Sequence, residues 1–355
     1  MTINKDVYNF EVRHLIYKIM GFRIENRRYV GSKTKLMPWI KEEMNKHCKK
    51  CNSIFDVFAG TGVVSAYLID EFDDFYINDF LYSNEVIYKA FFNKGKVDIE
   101  KLNKIKEEYN KIENIKNNYV SSNYGDKFFS RADAKKIGFI REDLENKKKS
   151  DFITENEFNI LLASLLYSAD RVAHTVGHYE AYIKSSHADC PFKFELIERI
   201  NTAGKRIKIY REDANVLVKE VKADIAFIDP PYNSRQYSRF YHVLENITKW
   251  KKPKLTGTAM KPTPENMSEY CRNGAADAFK DLISNLNVKY IVVTYNNTYN
   301  SKSSSSKNKI TLEEIESILN KKGKTDILNT PYKFFNAGKT DLKDHKEYLF
   351  ITRVK

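Results

Sequence analysis

The hydrophobic pattern of the chain falls into short apolar runs that end at glycine-rich or acidic corners, with helical stretches between them. Residues 53–58 (SIFDVF) form one such run, broken by AGTG, and VVSAYLIDEF after it has helical periodicity. Residues 75–78 (FYIN) predict a second strand ending at Asp79, and YSNEVIYKAFFNK predicts the helix that follows. Strand, glycine turn, helix, strand and acid in that order open a doubly wound α/β sheet. The alternation resumes with RIKIYRED, DIAFIDPPY and residues 289–297 (KYIVVTYNN), while KTDILNTPYKFF and KEYLFITRV predict a closing strand pair.

Between the two α/β stretches the texture differs. KLNKIKEEYNKIENIKNNY predicts a charged helix, SSNYGDKFFSRADAKKIGF is turn-rich and aromatic, and NEFNILLASLLYSADRV predicts a strongly apolar helix. The expected organisation is an N-terminal extension (1–28), an α/β domain split over 29–95 and 205–355, and an insertion at 96–204. SKSSSSKNK (301–309) is a low-complexity loop tip, and Thr311 with Glu314 forms a capping box that starts the helix TLEEIESIL.

Composition narrows the class. Hydrophobic residues make up 42% and charged residues 30%, as in globular proteins. No apolar run approaches the roughly 20 residues of a membrane span. The N-terminal stretch is charged and lacks a signal-peptide core, so a cytoplasmic location is the expectation. Sixty basic against 47 acidic residues give a net charge of +13, which suits a polyanionic partner. Cys48 and Cys51 have CxxC spacing, but no second pair follows, and buried or surface thiols are expected. His174, His178, His187 and Cys190 combine an i, i+4 histidine pair with His-x-x-Cys, a spacing open to zinc or to a polar binding surface; no metal is expected.

Two corners carry chemistry. FAGTG ends a strand and opens a helix, so Gly60 and Gly62 let backbone approach a ligand closely. Asp79, 17 residues after Gly62, closes the next strand, where such sheets hydrogen-bond a ribose. The dinucleotide fingerprint itself is incomplete, since Val63, Val64 and Ser65 follow Gly62. RYVGSKTKLMPWI resembles a P-loop but lacks its earlier glycine; it reads either as a turn before an amphipathic helix or as a Tyr29 and Lys33 lid over the cofactor site. In FIDPPY, Asp229 stands at the carboxyl end of a strand, where open α/β sheets bind ligands. Pro230 and Pro231 have no N–H to donate, which leaves stiffly held carbonyl acceptors beside a carboxylate. Tyr232 adds a flat face. Acceptors plus a π-platform suit an exocyclic amine on a planar base.

Together these motifs resemble the D12-type (Dam-like) adenine-N6 DNA methyltransferases, a family that includes many methylases of type II restriction–modification systems. RYVGSK is similar to the family's N-terminal cofactor motif, FDVFAGTG to its S-adenosyl-L-methionine loop, YIND to its ribose motif and DPPY to its catalytic motif, in the family's order. The resemblance implies a Rossmann-like sheet with helices on both faces and an inserted target-recognition domain. It implies that Tyr29, Gly31, Lys33, Asp56, Phe58, Gly60, Gly62, Asp79 and Asp213 surround S-adenosyl-L-methionine. Asp229, Pro230, Pro231 and Tyr232 would be catalytic, holding a flipped adenine of double-stranded DNA. Arg235, Gln236, Tyr237 and Arg239, close behind, would brace the DNA or form a helix surface, with Arg171, His174 and His178 as base-contact candidates. DPPYNSRQY with YHVLENI resembles a subgroup in which some members act on CATG or GGATG. Tyr29 stands where relatives often have Trp, and the insertion lacks the family's N-G-L-Y-R run, so the target sequence is not inherited. The implied partners are double-stranded DNA and a separate restriction endonuclease, with no membrane, for a monomer or weak dimer. Rival readings are an RNA adenine-N6 methyltransferase, since DPPY does not select the sugar, a nucleotide-binding oxidoreductase using AGTG and Asp79, and an inactive DNA-binding module.

Overall fold

A computed structural model describes residues 21–92, 94–183, 191–298, 307–331 and 345–355. Its centre is a seven-stranded sheet in the order β3-β2-β1-β4-β5-β7-β6. The strands are β1 (Ser53–Asp56), β2 (Asp74–Asn78), β3 (Arg206–Tyr210), β4 (Ile225–Ile228), β5 (Tyr290–Asn296), β6 (Gly323–Pro331) and β7 (Lys346–Val354). β1 to β5 are parallel, and β7 runs antiparallel to both β5 and β6. The predicted strands all form, and the fold is the expected α/β class with both sheet faces covered.

The strand sequences explain the two faces. Ile54, Ile225, Phe227, Val292 and Ile351 enter one hydrophobic cluster, whereas their neighbours Phe55, Ala226, Ile228, Ile291, Val293 and Phe350 enter another. Period-two alternation of apolar residues on both faces is the signature of a buried parallel sheet. α1 (Met37–His47) and α2 (Val63–Tyr67) flank β1. α2 is shorter than the VVSAYLIDEF pattern predicts, because regular helix gives way to turn after Tyr67. α3 (Tyr82–Phe91) follows β2.

Between α3 and β3 the chain is helical: α4 (Ile99–Lys111), α5 (Tyr119–Tyr124), α6 (Arg131–Lys149) and α7 (Glu155–Val172). The stretch expected to be turn-rich holds α5 and the start of α6, each begun by a side-chain cap. Asn118 accepts from Ser121 N, and Ser130 accepts from Asp133 N. α7 starts at a Thr154–Glu157 capping box and is buried nearly all round, as its apolar sequence demands. Its residues, and those of α4 to α6, belong to the same cluster as Ile54 and Phe75 of the sheet.

The remaining helices are α8 (Ala214–Leu217), α9 (Tyr237–Phe240), α10 (His242–Lys249), α11 (Ala275–Asn285) and α12 (Leu312–Lys322). α12 begins at the predicted Thr311–Glu314 capping box. No helix among the described residues is long and apolar enough to cross a membrane. Residues 1–20 of the N-terminal extension, residues 301–306 of the serine-rich loop, residues 332–335 of the closing strand pair, His187 and Cys190 lie outside the described residues.

Strand order reverses between β1 and β4, and the loops leaving these two strands are FAGTG and DPPY. Such a switch point opens a crevice at the carboxyl edge of the sheet.

Candidate active site

Asp229 stands one residue beyond β4, and three other side chains meet at its carboxylate. Thr294 Oγ1 on β5 donates to Asp229 Oδ1 at 2.8 Å, and the buried Lys33 ammonium lies 3.0 Å from the same oxygen. The Tyr232 hydroxyl donates to Asp229 and accepts from Lys33 Nζ at 2.9 Å. The cation compensates a carboxylate that would be costly to bury alone. Burial, and after it the Asp229 charge, pushes the Tyr232 phenol well above its usual range, so it acts here as a donor. Its ring tilts at 55° against Tyr295, with centroids 4.5 Å apart. The sequence predicts Tyr232 as a flat stacking face; its hydroxyl also ties it into the Asp229–Lys33 pair.

Asp229, Pro230, Pro231 and Tyr232 line a cavity of about 1200 Å³ that extends to Tyr29, Gly31, Lys33, Phe58, Gly60, Asp79 and Asp213. That exceeds the roughly 300–1,000 Å³ usual for a single small ligand. At its other end Gly60 has φ +54° and Gly62 φ +77°. A Cβ on Gly60 would lie 3.3 Å from the Tyr29 ring, and one on Gly62 2.9 Å from Tyr88, so both positions require glycine. Gly60 N donates to Asp79 Oδ2 and Leu81 N to Asp79 Oδ1, each at 2.9 Å. Asp79 thus braces the turn it faces and keeps lone pairs for a ligand. Burial raises its pKa.

Tyr29 is held in a tyrosine stack, 4.6 Å from the Tyr241 ring at 5° and 5.3 Å from Tyr237. Phe58 meets Tyr270 edge-on at 5.0 Å. Asp213 caps α8 by accepting from Asn215 N and Val216 N. Asp56 and Gly62 do not line the cavity. Asp56 is buried beneath the turn and accepts from Ser65 Oγ at 2.7 Å, and burial pushes its carboxyl up to about 7. It fastens the entry into α2 from below.

The residues expected at DNA divide. Arg235, Gln236, Tyr237 and His178 line the cavity, whereas Arg171, His174 and Arg239 do not. Gln236 Nε2 donates to Ser268 O at 2.9 Å while its Oε1 accepts from Ser268 N at 2.7 Å, which makes it a clamp on that loop. The Tyr237 hydroxyl donates to Val30 O at 3.1 Å and braces the loop before Lys33. Arg239 donates to Pro262 O at 2.7 Å, and Arg171 donates to Lys193 O at 2.7 Å while lying 5.0 Å over the Phe22 ring. His174 and His178 follow the end of α7 in irregular chain, so the helical i, i+4 pair is not formed. His178 stacks on Phe240 at 4.6 Å, and burial lowers its pKa. Among the described residues no group of three or more His, Cys, Asp or Glu could hold a metal ion.

Sequence reasoning missed four residues of the site: Arg27 and Glu347 in the cavity wall, Thr294 at the Asp229 carboxylate and Tyr241 stacked behind Tyr29. Arg27 is a buried cation 5.1 Å from the ring centroids of both Tyr29 and Tyr241, and it donates to Asn84 Oδ1 at 2.5 Å. Glu347, on β7, is buried at the cavity wall. No local motif marks them, although a glutamate inside the apolar run EYLFI is a signal that could have been used.

Residues 29–300 match the model of the D12 class N6 adenine-specific DNA methyltransferases. The chain is 34% identical over 348 residues to the modification methylase StsI of Streptococcus sanguinis, covering 92% of this chain and 52% of that protein. It is 33% identical over 347 residues to the type II methyltransferase M.FokI of Planomicrobium okeanokoites, with 91% and 52% covered. It is 30% identical over 340 residues to the type II methyltransferase M.NlaIII of Neisseria lactamica, with 91% and 98% covered. The chain therefore spans about half the length of the first two relatives and nearly all of the third. With the ordered motifs, the sheet and this match over most of its length, the chain belongs to the D12 class of N6 adenine-specific DNA methyltransferases.

Proposed function

We propose that this chain methylates the N6 amine of a specific adenine in double-stranded DNA, as the modification half of a restriction–modification system in the cytoplasm. Its endonuclease would act independently, and the chain would work as a monomer or weak dimer. One observation carries the reading: Asp229, Pro230 and Tyr232 share a single cavity with the Gly60–Asp79 turn. That cavity has room for a cofactor and a base together.

The residues fit S-adenosyl-L-methionine, because the Gly60 turn excludes a side chain and Asp79 keeps spare acceptors. When bound, that cofactor supplies an electrophilic methyl group. Tyr29, Gly31, Lys33, Phe58, Gly60, Asp79 and Asp213 would hold it, with Asp56 and Gly62 supporting the turn from beneath. Asp229 and the Pro230 carbonyl would accept the two amine hydrogens, drawing the nitrogen towards tetrahedral geometry and stabilising the positive charge developing on it. Lys33 and Thr294 hold the Asp229 carboxylate in place, so little of its orientation is lost when the base arrives. No cysteine is required as a nucleophile. Burial pushes the thiols of Cys48 and Cys271 up to about 12 and that of Cys51 up to about 11, which leaves them protonated and unreactive.

Adenine in a duplex is out of reach, so the base would flip into the cavity beside Tyr232. Arg235 and His178, at the cavity wall, would brace the opened strand. Arg171, His174 and Arg239 would lie along the flanking duplex, while Gln236 and Tyr237 position the loops around the site. The helical segment 96–204 would carry target recognition. The test is to express the chain in a methylation-free host and map modified adenines by single-molecule sequencing. N6-methyladenine at one recurrent sequence is expected. Unmodified DNA together with methylated RNA would overturn the DNA reading.

A further inference from the structure

β7 runs antiparallel to β5, so its first residues lie at the carboxyl edge of the parallel strands, where Glu347 is opposite Asn296. Glu347 has only 5% of its surface exposed, lines the cavity, and has an Oε2 atom without a hydrogen-bond partner. A buried carboxyl oxygen left unpaired costs free energy that nothing within the fold recovers, which points to a ligand.

Strand order says which ligand. β2, β1, β4, β5 and β7 are successive neighbours. At ~4.8 Å per strand, Asp79 after β2 and Glu347 on β7 stand at the ends of a row roughly 19 Å long, with Asp229 in its middle. The Gly60–Asp79 half belongs to the cofactor in the reading above, on which this inference rests. Glu347 faces the other half, left for the base.

The chemistry of adenine narrows the contact. Once its amine is held by Asp229 and Pro230, the flanking ring nitrogens N1 and N7 offer acceptors only. A carboxylate cannot donate to them, but a neutral carboxylic acid can. The surroundings favour the neutral form: burial pushes Glu347 up to about 7 against the opposing pull of Lys33, and the Asp229 charge adds to the rise. Among the described residues, Tyr232 and His345 are the other titratable groups lining this part of the cavity, and β5 contributes the neutral Thr294 and Asn296, the latter by a hydrogen bond to Glu347 that opposes the rise. We propose that Glu347 is a specificity-determining residue that donates a hydrogen bond from its neutral carboxyl to a ring nitrogen of the target adenine.

With the methylated sequence mapped, duplexes carrying 1-deazaadenine or 7-deazaadenine at the target are compared across the wild type, Glu347→Gln and Glu347→Ala. The wild type should lose about 10- to 100-fold in kcat/KM on one of the two analogues. Glu347→Gln, whose amide still donates, should keep that preference, and Glu347→Ala should abolish it. Calorimetric binding of S-adenosyl-L-methionine should be the same in all three, which also shows that the variants are folded. The wild-type kcat/KM should fall as pH rises past about 7, and Glu347→Gln should lack that alkaline limb. A Glu347→Ala protein that still discriminates between the analogues, or that loses cofactor affinity instead, would overturn the assignment. A wild type active on adenine but indifferent to both analogues refutes the role of Glu347 alone, whereas one that methylates no adenine refutes the methyltransferase reading itself.

Discussion

At the scale of single residues, the Tyr232 hydroxyl, Thr294 and Lys33 converge on one oxygen of Asp229, Oδ1. A target amine would arrive as a further donor at that carboxylate, with the tyrosine ring as its stacking surface. Tyr232→Phe should keep the ring and remove one of those donors, so 2-aminopurine at the target should brighten on binding at least as strongly as with wild type. Tyr232→Ala should weaken the flipped-base complex by about 1–3 kcal/mol, read from the same fluorescence titration. Equal weakening by both substitutions would mean that the hydroxyl, not the ring, holds the base. Asp229→Ala should abolish methyl transfer in a tritium-transfer assay while DNA binding by gel shift is largely retained, and near-normal turnover would refute the role given to Asp229. These residues were legible because DPPY and FAGTG are local motifs whose geometry is written in consecutive positions. Thr294 and Glu347 were harder to read, because the sheet brings each from a distant segment and only the glutamate within EYLFI gives a signal, whereas Arg27 stands just before RYVGSK, outside any motif that assigns it a role.

At the scale of elements, α10 is the piece on which the rest of the site leans. Tyr241, immediately before it, stacks on Tyr29, and its hydroxyl accepts from Val30 N at 2.8 Å. Glu245 accepts from Tyr82 N at 3.1 Å and Ser83 N at 2.7 Å, capping α3. Asn246 donates to the hydroxyls of Tyr119 and Tyr124, and Arg141 of α6 donates to Ile247 O and Thr248 O at the far end. The helix behind DPPY is thereby fastened to the segment 96–204 and to the loop of Lys33. Glu245→Ala should leave the buried Ser83 N–H and the partly buried Tyr82 N–H without an acceptor and lower stability by about 1–3 kcal/mol, measured by urea denaturation. A loss below a few tenths would mean that α3 does not depend on this cap. The YHVLENI motif marked this helix in the sequence without revealing its partners. The strands were legible because apolar runs ending in Gly, Asp or Pro have few alternatives. α5 and α6 were not, because SSNYGDKFF is rich in turn residues while Asn118 before it, Ser121 within it and Ser130 just after it act here as helix caps, and a cap and a turn look alike in sequence.

At the scale of the whole molecule, two long-range properties follow from charge. The net charge of +13 predicts that DNA affinity falls steeply with salt as counterions are released, and a flat dependence between 50 and 200 mM salt would exclude phosphate contacts as the main source of affinity. The second property concerns the fold itself. Burial raises Asp56 from 3.8 and Glu347 from 4.5, both to about 7. In the unfolded chain these groups lose their protons near pH 4, while in the folded protein they keep them until about 7. Across that interval the native state binds more protons, so stability falls as pH rises, by up to about 1.4 kcal/mol per pH unit for each group, and levels off above pH 7. Asp224, Glu157 and Glu142 are shifted the other way by their lysine partners, so their contribution is lost only as pH drops below about 4. His178 and His242, whose pKa values burial lowers, oppose this trend below about pH 6.5, so urea midpoints should decline most clearly between about pH 6 and pH 7.5. Asp56→Asn and Glu347→Gln should each flatten part of that decline, and because the two carboxyls occupy separate places, the double variant should flatten it further. A Glu347→Gln midpoint that runs parallel to that of the wild type across this range would show that this carboxyl is not held neutral by the fold, and would remove the donor on which recognition by Glu347 depends.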